Sequence, residues 1–248
     1  MFFLEFYRST IGKKVIMAIT GLIGVGFVIG HMLGHLQVFQ SADRYNAYAH
    51  FLQSLGELLW LVRLVLVGAV ILHVTMAVQL TRRAGTARPV AYEKRAPQVS
   101  TLASRTMRWG GFLLLAFIVF HVLHFTTLSI FPEYERMTVY NRLIVAFRQP
   151  AIFVFYVLST LALGLHLYHG AWSSMRTLGL TRARANPLQR KIPAAIAAVV
   201  TLGFLAVPIA IAAGLIREQP VGPVPAESTA TTTTATAPAA HAAPALER

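Results

Sequence analysis

The sequence predicts an all-α integral membrane protein, a bundle of five transmembrane helices. Three observations carry that reading. Of 248 residues, 56% are hydrophobic and only 12% charged, about half the charged share of soluble domains. Charge-free apolar stretches run Val15 to Phe39, Trp109 to Pro132, Gln149 to Met175 and Ile192 to Ile216, each exceeding the roughly 20 residues that cross a bilayer. A fifth stretch, Leu58 to Leu80, holds one charge, Arg63, near its start, where a long side chain snorkels to the interface or pairs with an acid. Finally, the 22 Lys and Arg residues fall unevenly between the connections, as topology in a membrane requires.

Taken in order, the spans are expected at about 12–39, 57–81, 105–131, 150–176 and 192–216, together forming one domain over residues 1–216. The first begins too late, runs too long and lacks a small-residue cleavage site, so it reads as a retained span rather than a signal peptide. Between the first two spans, Tyr45, Tyr48, Leu52 and Leu55 recur at helical spacing behind Ser41, a helix-capping residue. A short interfacial helix at about 42–54 is expected there. Beyond Arg217 the chain turns to Pro, Ala and Thr, a composition without the large apolar side chains that offset ordering entropy. Residues 217–248 are expected to be a disordered tail.

Fifteen of the basic residues lie near the N-terminus, between 82 and 108, and between 176 and 191. Those connections are therefore assigned to the cytoplasm, with the N-terminus cytoplasmic and the C-terminus external. This topology signal accounts for most of the net charge of +13, so no nucleic-acid partner is inferred, and lipid headgroups are expected against the basic loops. The chain has no cysteine, which excludes disulfides, thiolate catalysis and any cysteine-held iron–sulfur cluster within it. Redox chemistry here would rest on histidine, the commonest metal ligand.

Seven of the nine histidines fall in or near the spans, and ionisable residues at such depth are functional candidates. At 1.5 Å rise per residue, His31 and His121 lie about 25 and 20 Å from the inner edge, whereas His73 and His166 lie only about 13 and 15 Å from it. Two layers result, each with two histidines on different helices, which is what bis-histidine ligation of two stacked b-type haems requires. Glycines at 26, 30 and 34, and at 110, 111, 164 and 170, would make room for flat macrocycles, although close helix packing explains them equally well. Each histidine taken alone is also served by an interhelical hydrogen bond or a proton relay. Zinc is a further alternative, but a closed site wants four ligands at one level. Depth does not decide which member of His31/His35, His121/His124 or His166/His169 is the ligand.

The order GHMLGHLQVF, NAYAHFLQSLG, VILHVTMAVQLTRR, SRTMRWGGFLLLAFIVFHVLHFT and LALGLHLYHGAWS resembles the cytochrome b membrane-anchor subunit of succinate dehydrogenase and fumarate reductase (complex II), in its single-chain, five-helix, di-haem form. The likeness covers about Ile11 to Leu215. It implies axial ligation of the outer haem by His31 and His121 and of the inner haem by His73 and His166. His35 stands where the family often has asparagine, which makes it the lesser ligand candidate. Arg108, His124 and His169 are implied as contacts to haem propionates or quinone, with membrane anchoring and interhelical bonding as their plainer roles. The resemblance also implies that this chain carries no flavin or succinate site. A flavoprotein and an iron–sulfur subunit would dock on its cytoplasmic face, against Arg82, Arg83, Arg88, Lys94 and Arg95, and electrons would pass through two haems b to a membrane quinone, menaquinone being the expected type. Quinone-site candidates are His50, Tyr45, Glu57 and Arg63 on the outer side and Arg105, Arg108 and His169 on the inner. The location implied is a bacterial cytoplasmic membrane, with multiple passes and a higher oligomer of the complex as a further expectation. Rival readings are a di-haem b subunit of another quinone-linked dehydrogenase and a haem-free, proton-coupled membrane protein.

Overall fold

The structure, a computed structural model, describes residues 2–87, 101–181 and 187–220. Its elements are α1 (Phe2–Arg8), α2 (Thr10–Leu36), α3 (Ala42–Ser54), α4 (Glu57–Thr86), α5 (Leu102–His121), α6 (Val139–Arg148), α7 (Pro150–Thr177) and α8 (Pro187–Ala212), with short 3₁₀ turns at Gln37–Phe39 and Pro132–Arg136. No strand occurs among the described residues. Five helices are long and apolar enough to cross a membrane: α2, α4, α5, α7 and α8. Their outward faces carry bare apolar side chains such as Trp109, 81% exposed, and Leu202, 67% exposed. That distribution suits a lipid solvent, in which apolar surface needs no burial inside the protein.

Helix ends follow local chemistry. Ser9, Ser41, Thr101 and Thr138 each cap a helix by accepting a backbone N–H three residues on, as orphan donors of a first turn demand. The third span stops short of the expected residue 131. After His121 the chain makes one π-helical turn, Val122–Thr126, and Leu128 then adopts a positive φ of 56°; an apolar run thus continues past the point where the helix breaks. The fifth span is shifted towards the N-terminus relative to 192–216. Pro187 sits in its first turn, where a missing N–H costs nothing. Gly214, at φ 73°, closes it with bonds from Gly214 N to Ile211 O and Leu215 N to Ala210 O. The second span continues past 81 to Thr86, and its Arg83 donates to Thr10 Oγ1 and to the Arg8 carbonyl, fastening α4 to α1 and α2. Of the expected disordered tail, residues 217–220 are described and are held at the α6 end, Glu218 pairing with Arg148 and Gln219 bonding Asn141; residues 221–248, together with Arg88, Lys94, Arg95, Arg182 and Arg184, lie outside the described residues.

The bundle is held unevenly. α2 packs closely on α4, α7 and α8, and α7 packs on α2, α5 and α8. Glycines permit part of this: a Cβ on Gly164 would strike Thr201 and one on Gly203 would strike Met32. Among the described residues, the diagonal pairs α2–α5 and α4–α7 are not closely packed backbone to backbone. At the end formed by α3 and α6, the core is instead dense. Tyr140, Leu143, Ile144 and Phe147 line one face of α6 and are buried with Tyr134, Tyr156 and Ile211. Asn141 clamps the chain leaving α8, donating to the Gln219 carbonyl and accepting from Gln219 N.

Candidate cofactor-binding site

The histidines meet across the two diagonals. His31 of α2 faces His121 of α5 with ring centroids 5.8 Å apart. His73 of α4 faces His166 of α7 at 6.1 Å. His73 docks on α2 beside Gly21, and His31 lies ten residues further along that helix, so the two levels are about 15 Å apart along its axis. Two imidazoles sharing one metal ion through bonds of about 2 Å each place their ring centres about 6 Å apart. Both pairs meet that spacing, and the loosely packed diagonals are where they meet it.

Hydrogen bonding fixes the protons at the level of His73 and His166. His73 Nδ1 lies 3.1 Å from the Met17 carbonyl and 3.3 Å from Thr20 Oγ1. A carbonyl only accepts, so Nδ1 carries the proton and Nε2 keeps its lone pair. Thr20 donates its own hydrogen to the Ile16 carbonyl at 2.8 Å, which frees its oxygen to accept from His73. Such an N–H to backbone oxygen is how ligand histidines are oriented. The opposite ring, His166, has a buried Nδ1 without a partner. Each ring rests near a glycine: a Cβ on Gly21 would lie 3.2 Å from His73 Cε1, and one on Gly111 would lie 4.0 Å from His166 Cε1.

At the other level the rings are more heavily connected. Tyr45 Oη lies 2.8 Å from His35 Nδ1, and His35 Nε2 lies 3.3 Å from His31 Nε2. Burial, reinforced by the neighbouring Tyr48, pushes the Tyr45 phenol well above its ordinary value, so it stays protonated and able to donate. Gly34 lets α3 come close, because a Cβ there would lie 2.6 Å from Tyr48 Cε1. Across the bundle, Tyr156 Oη lies 3.0 Å from His124 Nδ1 and 3.3 Å from His121 Nδ1. His124 is fully buried.

The other candidates do not gather into one site. His50 and Glu57 are exposed, and Arg63 stacks on Trp60 at 4.9 Å. Arg105 and Arg108 are exposed near the start of α5. His169 does line a cavity of about 260 Å³, with Thr101, Ser104, Tyr168, Trp172, Ser173, Arg176 and Arg190; both arginines stack on Trp172. A second cavity of about 380 Å³, between α6, α7 and the end of α8, contains no histidine. Among the described residues, no three of His, Cys, Asp and Glu come together as a metal site, so a closed four-ligand zinc centre lacks donors there. Sequence reasoning missed Tyr156, Thr20 and Gly21. Their signal would have been position: Tyr156 lies ten residues before His166, at the depth of the opposite histidine layer. No protein-family model, characterised protein or solved structure matches this chain.

Proposed function

We propose that this chain is the membrane-anchor, electron-transfer subunit of a succinate:quinone oxidoreductase, holding two haems b. The observation that carries the proposal is the opposition of His31 to His121 and of His73 to His166 across the two loosely packed diagonals. Those four residues would hold the haem irons, and each bound haem would supply reversible one-electron chemistry. The chain's own residues do the rest. Met17 and Thr20 hold His73 as the Nδ1–H tautomer and aim its bare nitrogen across the gap. The apolar faces of α2, α5 and α7 exclude water from both levels. Arg176, Arg190 and His169 present positive charge and hydrogen-bond donors beside a cavity at the end we assign to the cytoplasm, where carboxylates or a quinone carbonyl would be received. The flavoprotein and iron–sulfur partners would dock at that same end, and the membrane would be a bacterial cytoplasmic one.

The chain His31–His35–Tyr45 favours a second reading, a haem-free proton path, since it is an unbroken run of groups that both donate and accept. Haem extraction with a reduced-minus-oxidised spectrum separates the two. Two moles of haem b per mole of chain are expected, and a colourless purified protein would overturn the cytochrome reading.

A further inference from the structure

His124 is a fully buried imidazole inside a membrane helix, delivered inward by the only π turn among the described residues, Val122–Thr126. π turns of this kind concentrate at functional positions. Its Nδ1 faces Tyr156 Oη at 3.0 Å, while its Nε2 is buried with no hydrogen-bond partner. Rings surround it: Phe125 at 4.1 Å, Phe131 at 4.9 Å, Phe120 at 5.2 Å and Tyr134 at 5.6 Å between centroids. The Tyr156 oxygen lies nearer to His124 Nδ1 than to His121 Nδ1, 3.0 against 3.3 Å, and a hydroxyl donor makes the shorter bond of the two kinds. That order makes His124 Nδ1 the acceptor and puts the His124 proton on Nε2.

From there the protons follow by counting. His124 Nδ1 accepts, so Tyr156 donates its single hydrogen to it. The Tyr156 oxygen is then free to accept from His121 Nδ1, 3.3 Å away. His121 must carry its proton on Nδ1, which leaves Nε2 bare. The reverse order would put the proton on His121 Nε2 and close that nitrogen to a metal.

We propose that Tyr156 and His124 are positioning residues, a two-member relay that fixes His121 in the tautomer able to ligate and raises its basicity. The proposal rests on the cytochrome reading and adds a role for two residues that do not touch the iron. It serves at the outer level as Met17 and Thr20 serve at the inner, with a tyrosine hydroxyl in place of a backbone carbonyl.

The test is a redox titration of the assembled complex, reading both haems, with the inner haem as internal control. In Tyr156→Phe, His121 loses its acceptor and becomes a weaker base. The oxidised form is then less favoured, and the outer haem's reduced-to-oxidised ratio at fixed poise rises by up to tenfold, about 59 mV for one electron, with the inner haem unmoved. In His124→Leu, Tyr156 is released to donate to His121, and outer haem content falls; His124→Asn, which keeps an acceptor near Nδ1, restores it. An unchanged outer potential in Tyr156→Phe overturns the relay while leaving the cytochrome reading intact. Should Tyr156→Phe lose both haems, equal outer haem content in His124→Leu and His124→Asn overturns it instead. Haem missing from the unsubstituted complex would remove the cytochrome reading itself.

Discussion

Gly21 marks one point where α4 docks on α2, through the His73 ring, and enlarging it measures that contact. A Cβ on Gly21 would lie 3.2 Å from His73 Cε1 and 3.5 Å from its Nδ1. Alanine therefore asks the imidazole to yield by a few tenths of an ångström, and its better helix propensity, about 1 kcal/mol over glycine, offsets that crowding. Valine extends two further carbons about 1.5 Å beyond Cβ, at least one of them into the volume the ring occupies. The ring must then move by roughly an ångström, and its contacts at 3.1 Å to the Met17 carbonyl and 3.3 Å to Thr20 Oγ1 pass out of hydrogen-bonding range. At about 1 kcal/mol net for each bond, the docking of α4 weakens by about 2 kcal/mol. The assay pairs thermal unfolding of the detergent-solubilised protein, followed by helical circular dichroism, with haem counting. Gly21→Ala is expected to match the parent. Gly21→Val is expected to unfold several degrees lower and to lose one haem, because the His31 level lies about 15 Å away. Two haems and an unchanged transition in Gly21→Val would refute the claim that His73 is held by this contact.

Single replacements of His73 or His166 by alanine should each remove one haem and leave the other, read from the difference spectrum; loss of both or neither would contradict the two-level arrangement. Ile144→Ala empties a fully buried site at the α6 end and should cost about 2–4 kcal/mol, measured by chemical denaturation, with haem content preserved. Asn141→Ala removes both bonds to Gln219, and limited proteolysis near residue 219 should accelerate severalfold. Burial holds the Tyr45 and Tyr140 phenols above their ordinary value of 10.0, as it does Tyr134, where Glu133 adds to the effect. Their protons are thus bound more tightly in the folded chain, so this stabilisation is complete below pH 10 and is lost as pH rises beyond it. Unfolding temperature should fall with alkalinity above pH 10, and replacing Tyr140 with Phe should lessen that slope.

Hydropathy made five spans legible because lipid leaves each helix apolar on every side, so their number could be counted without knowing how they pack. It could not place the end of α5, since the apolar run continues to Pro132 while the backbone turns at Leu128. Nor did it disclose α6: ten residues are too few to span, and Arg142 and Arg148 dilute its apolar stripe of Tyr140, Leu143, Ile144 and Phe147. Depth arithmetic sorted the histidines into the two pairs that face each other, because helical rise converts sequence number directly into height. Azimuth is what it lacked. That missing coordinate is why Tyr156 stands out only in the structure, where its hydroxyl meets both His121 and His124.

The close packing of α4 on α2, and on no other helix to a comparable degree among the described residues, bears on how such a protein is made. The remaining four spans share α7 or α2 as a common neighbour and are braced at one end by α6. α4 is thus held to the bundle along one side, as α5 is held through α7. On the cytochrome reading, a large flat guest would enter sideways from the lipid between α4 and α5, the side of the box that is not closely packed among the described residues, with the other spans left in place.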